Sequence, residues 1–174
     1  MAGLLSESEI YVYSKRFLRN HGWKLVGGEP PGGSDGLPRV EAKHPDKDEK
    51  GSRGSKKVDI LAYKGGKLLL LELKSRYDEG DVVKLDELVG ELRWRRALHD
   101  ACLERNAFQR AGVADGDLPH RVLSGAALVK GIGIGHHHGV PEDYVRLTLH
   151  APNDIDVWIG SECRLDYEMF DSDD

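Results

Sequence analysis

Three polar residues interrupt the most apolar part of the chain: Asp59 between Val58 and Ile60, and Glu72 and Lys74 alternating with Leu71 and Leu73. In an extended strand successive side chains alternate faces, so Glu72 and Lys74 point one way while Leu69, Leu71 and Leu73 point the other. A lone carboxylate held between apolar neighbours is expensive to bury. If Asp59 lies near Glu72, each acid raises the other's pKa until a cation intervenes. Mg²⁺ meets that need: it takes hard oxygen ligands from one or two carboxylates and keeps several waters, one of which Lys74 then holds or polarises. Glu-x-Lys is also an ordinary strand-face pairing in a charged protein, so the triplet gains its meaning from what surrounds it.

Those surroundings must bring the three residues together. Val58 to Tyr63 and Lys67 to Leu73 read as two strands joined at Lys64-Gly65-Gly66, where glycine supplies the positive φ of a tight hairpin. Ahead of them Ser6 and Glu9 form a capping-box pattern for a helix reaching about Asn20, with Ile10, Tyr13, Ser14 and Phe17 as its core stripe. Trp23 to Val26 is a first strand. Residues 27–56 are rich in Gly, Pro, Ser and Lys, too long for an ordinary connection, and read as a basic flexible loop. After the hairpin, Asp81 caps a long helix reaching about Glu104, with Leu85, Leu88, Val89 and Leu92 buried and Gly90 allowing close packing on the sheet. Asn106 to Leu118 is loop-like; Arg121 to Lys130, Tyr144 to His150 and Ile155 to Ile159 read as strands, and residues 166–174 as an acidic, frayed tail. The order predicts a single α/β domain over 1–174, a central mixed β-sheet flanked by helices.

Val58-Asp59, a gap of twelve residues, and Glu72-Leu73-Lys74 resemble the PD-(D/E)XK nuclease superfamily, most closely its archaeal Holliday-junction resolvases. The likeness covers roughly the first half of the chain, with Val58 in place of the nominal proline. It implies a restriction-endonuclease-like αβββαβ core. It further implies that Asp59, Glu72 and the Leu73 backbone carbonyl hold Mg²⁺ or Mn²⁺, that Lys74 orients the attacking water, and that the enzyme is a structure-selective DNA endonuclease acting as a homodimer. Related resolvases carry a glutamate on the inner face of the first helix. Tyr11 fills that register here, so Glu7, one turn earlier, is the substitute and Glu9 the runner-up; both acids also suit the helix dipole. Lys84, in the first turn of the second long helix, stands where relatives touch the scissile phosphate or the metal's waters. Arg53, Lys56, Lys57 and Arg76 flank the hairpin and would contact the nucleic-acid backbone, unless the loop is a solvated insertion.

Net charge is −5, yet His21 to Arg76 holds twelve Lys/Arg against eight Asp/Glu, while Ser161 to Asp174 holds one against six. An acidic tail is therefore compatible with a basic working face. Cys102 and Cys163 make neither a metal set nor a disulfide framework. The apolar runs are of strand length and no signal peptide is evident, which predicts a cytoplasmic protein. Ion pairs within a helix account for most of Arg93-Trp94-Arg95-Arg96. Gly131 to Pro141 lacks the context of a phosphate loop, and three consecutive histidines, His136 to His138, diverge too far for one closed zinc site. Two rivals to the enzyme remain: a nucleic-acid-binding domain of the same fold without cleavage, and an α/β domain that binds a protein partner.

Overall fold

A computed structural model describes residues 4–46 and 54–171. Its spine is a strand buried on both faces. Leu68 and Leu70 pack into one core, and Leu69, Leu71 and Leu73 into the other. That double burial explains the nearly unbroken leucine run of a central strand.

The described residues form eight strands, this one included, and five α-helices. The strands are β1 (Lys24–Gly28), β2 (Glu41–Ala42), β3 (Lys56–Lys57), β4 (Ile60–Lys64), β5 (Lys67–Lys74, the spine), β6 (Leu128–Ile134), β7 (Tyr144–Ala151) and β8 (Asp154–Ile159). The main sheet runs β1-β4-β5-β6-β7-β8, and β2 with β3 makes a separate two-stranded sheet. Pairings are antiparallel from β1 through β5, parallel from β5 through β7, and antiparallel again at β8. The β4–β5 turn uses Gly65 and Gly66 at φ of 56° and 82°, as the hairpin reading requires.

Helix α1 (Glu7–Asn20) covers one face, burying Ile10, Tyr11, Ser14 and Leu18. Helices α2 (Glu79–Gly90), α3 (Leu92–Glu104), α4 (Ala107–Arg110) and α5 (Leu118–Ser124) supply residues to the core on the other. The architecture is an α/β fold with a six-stranded mixed sheet between helical layers. Among the described residues no helix is long and apolar enough to cross a membrane.

Several local expectations change. The stripe of α1 is rotated toward Tyr11 and Leu18, leaving Tyr13 and Phe17 only half-buried. The helix expected from Asp81 to Glu104 breaks at Glu91, which is extended at φ −112° and ψ 127°, and Leu92 turns outward to 51% exposure. A Cβ at Gly90 would meet nothing, so that glycine marks the break and not a close approach. Asp78 caps α2 by accepting the Gly80 N–H at 2.8 Å, which frees Asp81 to face inward. Arg121 to Lys130 is split between the end of α5 and the start of β6. Residues 29–46 are also anchored: Val40 and Ala42 are buried, and Asp35 accepts from the Tyr11 hydroxyl at 2.8 Å and from Lys15. The tail is docked as far as Asp171 by a 3₁₀ turn (Tyr167–Phe170), with Phe170 stacked on Trp23 at 5.4 Å.

The capping box at the start of α1 is present, with Ser6 Oγ accepting the Glu9 N–H and Glu9 Oε1 accepting the Ser6 N–H, each at 3.1 Å. Ser6→Ala should lower the unfolding free energy by about 1 kcal/mol, read from urea denaturation. Gly131 and Gly133 belong to β6. A Cβ on Gly133 would lie 2.5 Å from Leu73 Cδ2, so its hydrogen side chain makes room for the strand that carries the polar triplet. Gly133→Ala should cost about 1–3 kcal/mol by overpacking, seen as a lower urea midpoint at unchanged slope.

Candidate active site

The β4–β5 ladder ends at the pair Ile60 and Leu71, leaving the Leu73 N–H without a strand partner. Asp59, in the bend before β4, supplies the missing acceptor: its Oδ2 receives that N–H at 2.8 Å. Its own carbonyl accepts the Glu29 N–H at 2.9 Å. The aspartate thus closes the end of the sheet and keeps a second carboxylate oxygen for other work.

Asp59 opens onto a cleft of about 50 Å³, lined also by Glu7, Tyr11, Glu29, Pro31, Leu73 and Lys74. Since a water occupies roughly 30 Å³ of liquid volume, this space suits one or two waters or a small cation. Glu7 reaches this lining from the first turn of α1. Glu9, the runner-up, is held away by the capping box and by the Tyr13 hydroxyl at 3.2 Å. Tyr11 braces the roof through its bond to Asp35, and a Cβ on Gly28 would stand 2.3 Å from its hydroxyl. Only glycine tolerates that approach. Glu29 was not foreseen; it reaches Arg39 at 3.5 Å and Lys57 at 3.9 Å.

Lys74 lines the cleft and makes no hydrogen bond or close ion pair among the described residues. Burial works against its charge, but Asp81, Glu7 and Asp59 outweigh it and raise its pKa. The ammonium is therefore charged at neutral pH, a form that can donate hydrogen bonds but cannot accept a proton.

Glu72 is placed differently. It is 2% exposed on the α2 side of β5, and its Oε1 is ion-paired with Lys84 Nζ at 2.8 Å. Burial first, and the neighbouring Asp59 second, push its pKa up to about 8 against the opposing pull of Lys84. Asp81 is 7% exposed, and its Oδ2 has no hydrogen-bond partner. Burial raises it to about 6 despite Lys74 and Lys84. The sequence did contain a signal for Asp81, an acid four residues before Leu85 and seven before Leu88 on the buried stripe of α2.

Among the described residues no three His, Cys, Asp or Glu side chains gather into a ready-made metal cluster. The expected set is smaller, two carboxylates and a carbonyl, and its chemistry suits a hard divalent ion. Asp59 is coupled to Glu72, and Glu72 holds a buried oxygen short of hydrogen bonds. Lys84 currently supplies the compensating charge.

The expected nucleic-acid contacts divide in the same way. Arg76 is exposed and unpaired among the described residues, close in sequence to Lys74. Lys84 is turned inward, donating to the Lys57 carbonyl at 2.8 Å besides its contact with Glu72. Lys56 lies 3.3 Å from Glu87 and 4.6 Å above the Trp94 ring. Arg53 lies outside the described residues. In the Arg93 to Arg96 cluster, Arg93 pairs with Glu91 and Asp46, whereas Arg95 bonds the Leu123 and Val89 carbonyls, so tertiary caps replace part of the expected helical pairing. No protein family, curated protein or solved structure matches the chain.

Proposed function

We propose that the protein is a metal-dependent endonuclease that hydrolyses DNA phosphodiester bonds, selective for branched structures and acting as a homodimer. The observation that carries this reading is the meeting of Asp59, Lys74 and Glu7 at one solvent-accessible cleft at the end of the central strand. The element order, helix, three antiparallel strands, helices and a parallel strand, agrees with the αβββαβ core that the resemblance implies.

Asp59, Glu72 and the Leu73 carbonyl would hold Mg²⁺ or Mn²⁺. Once bound, such an ion lowers the pKa of a coordinated water and offsets charge on the phosphate oxygens. Lys74, fixed in its charged form, donates to the attacking water or a phosphate oxygen and orients it for in-line attack. Glu7 accepts from waters at the opposite wall. Asp59 is prepositioned by the Leu73 N–H, so little reorganisation is needed at that ligand.

A second reading has its own support. Glu72 is sealed beneath α2 and already compensated by Lys84, an arrangement that suits a DNA-binding domain that has lost cleavage. Incubating branched, linear and single-stranded DNA with the protein and Mg²⁺ or Mn²⁺ separates the two. Cutting of branched DNA supports the enzyme, binding without cutting supports the binding domain, and neither activity removes both.

A further inference from the structure

Helix α3 carries its charges in the order its own dipole disfavours. It has no acid in its first turn and no base in its last. Arg93, Arg95 and Arg96 gather near its start, Asp100 and Glu104 near its end. A helix macrodipole is stabilised by the reverse order, so within one molecule this arrangement is unfavourable. Arg93 and Arg95 are answered, the first by Glu91 and Asp46 and the second by the Leu123 and Val89 carbonyls. Arg96 and Glu104 have no hydrogen bond or ion pair among the described residues, and Asp100 meets only the adjacent His99 ring, at 3.0 Å. Arg96 and Asp100 stand four apart without pairing, in keeping with base before acid being the weaker order on a helix.

Two outward-facing leucines share this surface. Leu92 is 51% exposed and Leu103 49%, and at 3.6 residues per turn Leu92, Arg96, Asp100 and Leu103 fall within a sector of about 80°. Along the helix the stripe reads Leu, Arg, Asp, Leu. Read backwards it is the same with the charges exchanged. A second copy laid antiparallel therefore sets Leu92 against Leu103 and Arg96 against Asp100, twice each, and the two kinds of pair share a midpoint to within half a residue. A parallel copy would instead stack Arg96 on Arg96. Arg93 and Arg96 balance Asp100 and Glu104, so the face carries no net charge and favours its own copy over a polyanion. Shape agrees: a groove of about 370 Å³ separates α3 from residues 41–46, and one of about 430 Å³ lies between its end and residues 106–119, so α3 is a ridge with room for another beside it.

We propose that the exposed face of α3 docks a second copy of this chain, the two helices antiparallel about a two-fold axis beside Ala97 and Leu98. Such a contact is self-complementary, each stripe serving as the other's partner. The proposal gives the homodimer of the nuclease reading an interface and needs none of its chemistry. A single 13-residue helix makes a narrow contact, so association should be weak, in the range of about 1 to 100 μM.

Sedimentation equilibrium across that range should show the monomer giving way to a species of twice its mass, and added NaCl should shift the balance back. Arg96→Asp and Asp100→Arg should each weaken dimerisation about tenfold or more, because each sets like charges face to face. Both positions are exposed, so melting temperatures should stay near that of the wild type. An equimolar mixture of the two variants should form the heterodimer, and the double variant should regain wild-type association. A monomer throughout overturns this interface and the homodimer together, while leaving cleavage to be judged by its own assay. A dimer that neither reversal weakens overturns the α3 face and leaves the homodimer standing on another surface. Weakening without recovery on mixing overturns the antiparallel pairing.

Discussion

Asp59→Asn and Lys74→Met should each reduce Mg²⁺-dependent cleavage of branched DNA by about a thousandfold or more, with the fold intact. The asparagine oxygen still accepts the Leu73 N–H, so the end of the sheet remains capped. What is lost is the negative charge that would hold the ion. Lys74 makes no hydrogen bond or close ion pair among the described residues, so its replacement by a methionine of similar length costs little stability. Single-turnover cleavage rates and urea midpoints together check both claims. Undiminished cleavage in either variant would place the chemistry elsewhere. Asp59→Ala is a poorer test, because removing the acceptor also strands a backbone N–H at a cost of about 1–3 kcal/mol.

Metal-free protein should become less stable as pH rises from about 4.5 to 8, and Glu72→Gln should remove most of that loss. The sign follows from linkage. Glu72 has its pKa raised from 4.5 to about 8 in the fold, so between those values the native state binds more protons than the unfolded chain. Stability is then greatest below the unfolded value and declines as pH climbs through the folded one. Asp81, raised from 3.8 to about 6, contributes the same trend over a lower window. With Lys84 offsetting part of the charge, the glutamine variant should be more stable than wild type by about 1–3 kcal/mol at pH 8 and nearly equal to it at pH 4. Mn²⁺ should raise the wild-type melting temperature more at pH 8 than at pH 5, since the ion competes with the proton for the same oxygens. Urea titrations across pH test the first claim and thermal scans the second. Stability that rises over this window would show that Glu72 is compensated far better than its burial suggests.

Where local chemistry decided the outcome, the sequence was legible. The leucine alternation around Glu72, the paired glycines of the β4–β5 turn and the Ser6 capping box each depend on neighbours a few residues away. Long-range packing hid the rest. Helical periodicity continues through Glu91, so apart from Gly90 nothing local marks the reorientation that turns Leu92 into solvent. Gly131 and Gly133 fell outside the expected Arg121 to Lys130 strand because the leucines that need their space come from another strand. At the site, Asp59 and Lys74 line one cleft, whereas Glu72, the third residue of the expected set, is held on the α2 side, and Glu7 was pointed to only by the resemblance. The burial of Glu72 under Lys84 depends on how α2 crosses the sheet, and no spacing within one segment encodes that.

The parallel neighbour of β5 arrives late. Residues 75–127 separate the end of β5 from β6, and all of them must be synthesised before that flank of the strand can be paired. At about 5–20 residues per second, the nascent chain exposes an unprotected leucine-rich edge for several seconds, a window in which it can stick to other chains. Yield in a producing cell should therefore depend on translation speed across those residues and on chaperone supply more than on the stability of the finished protein.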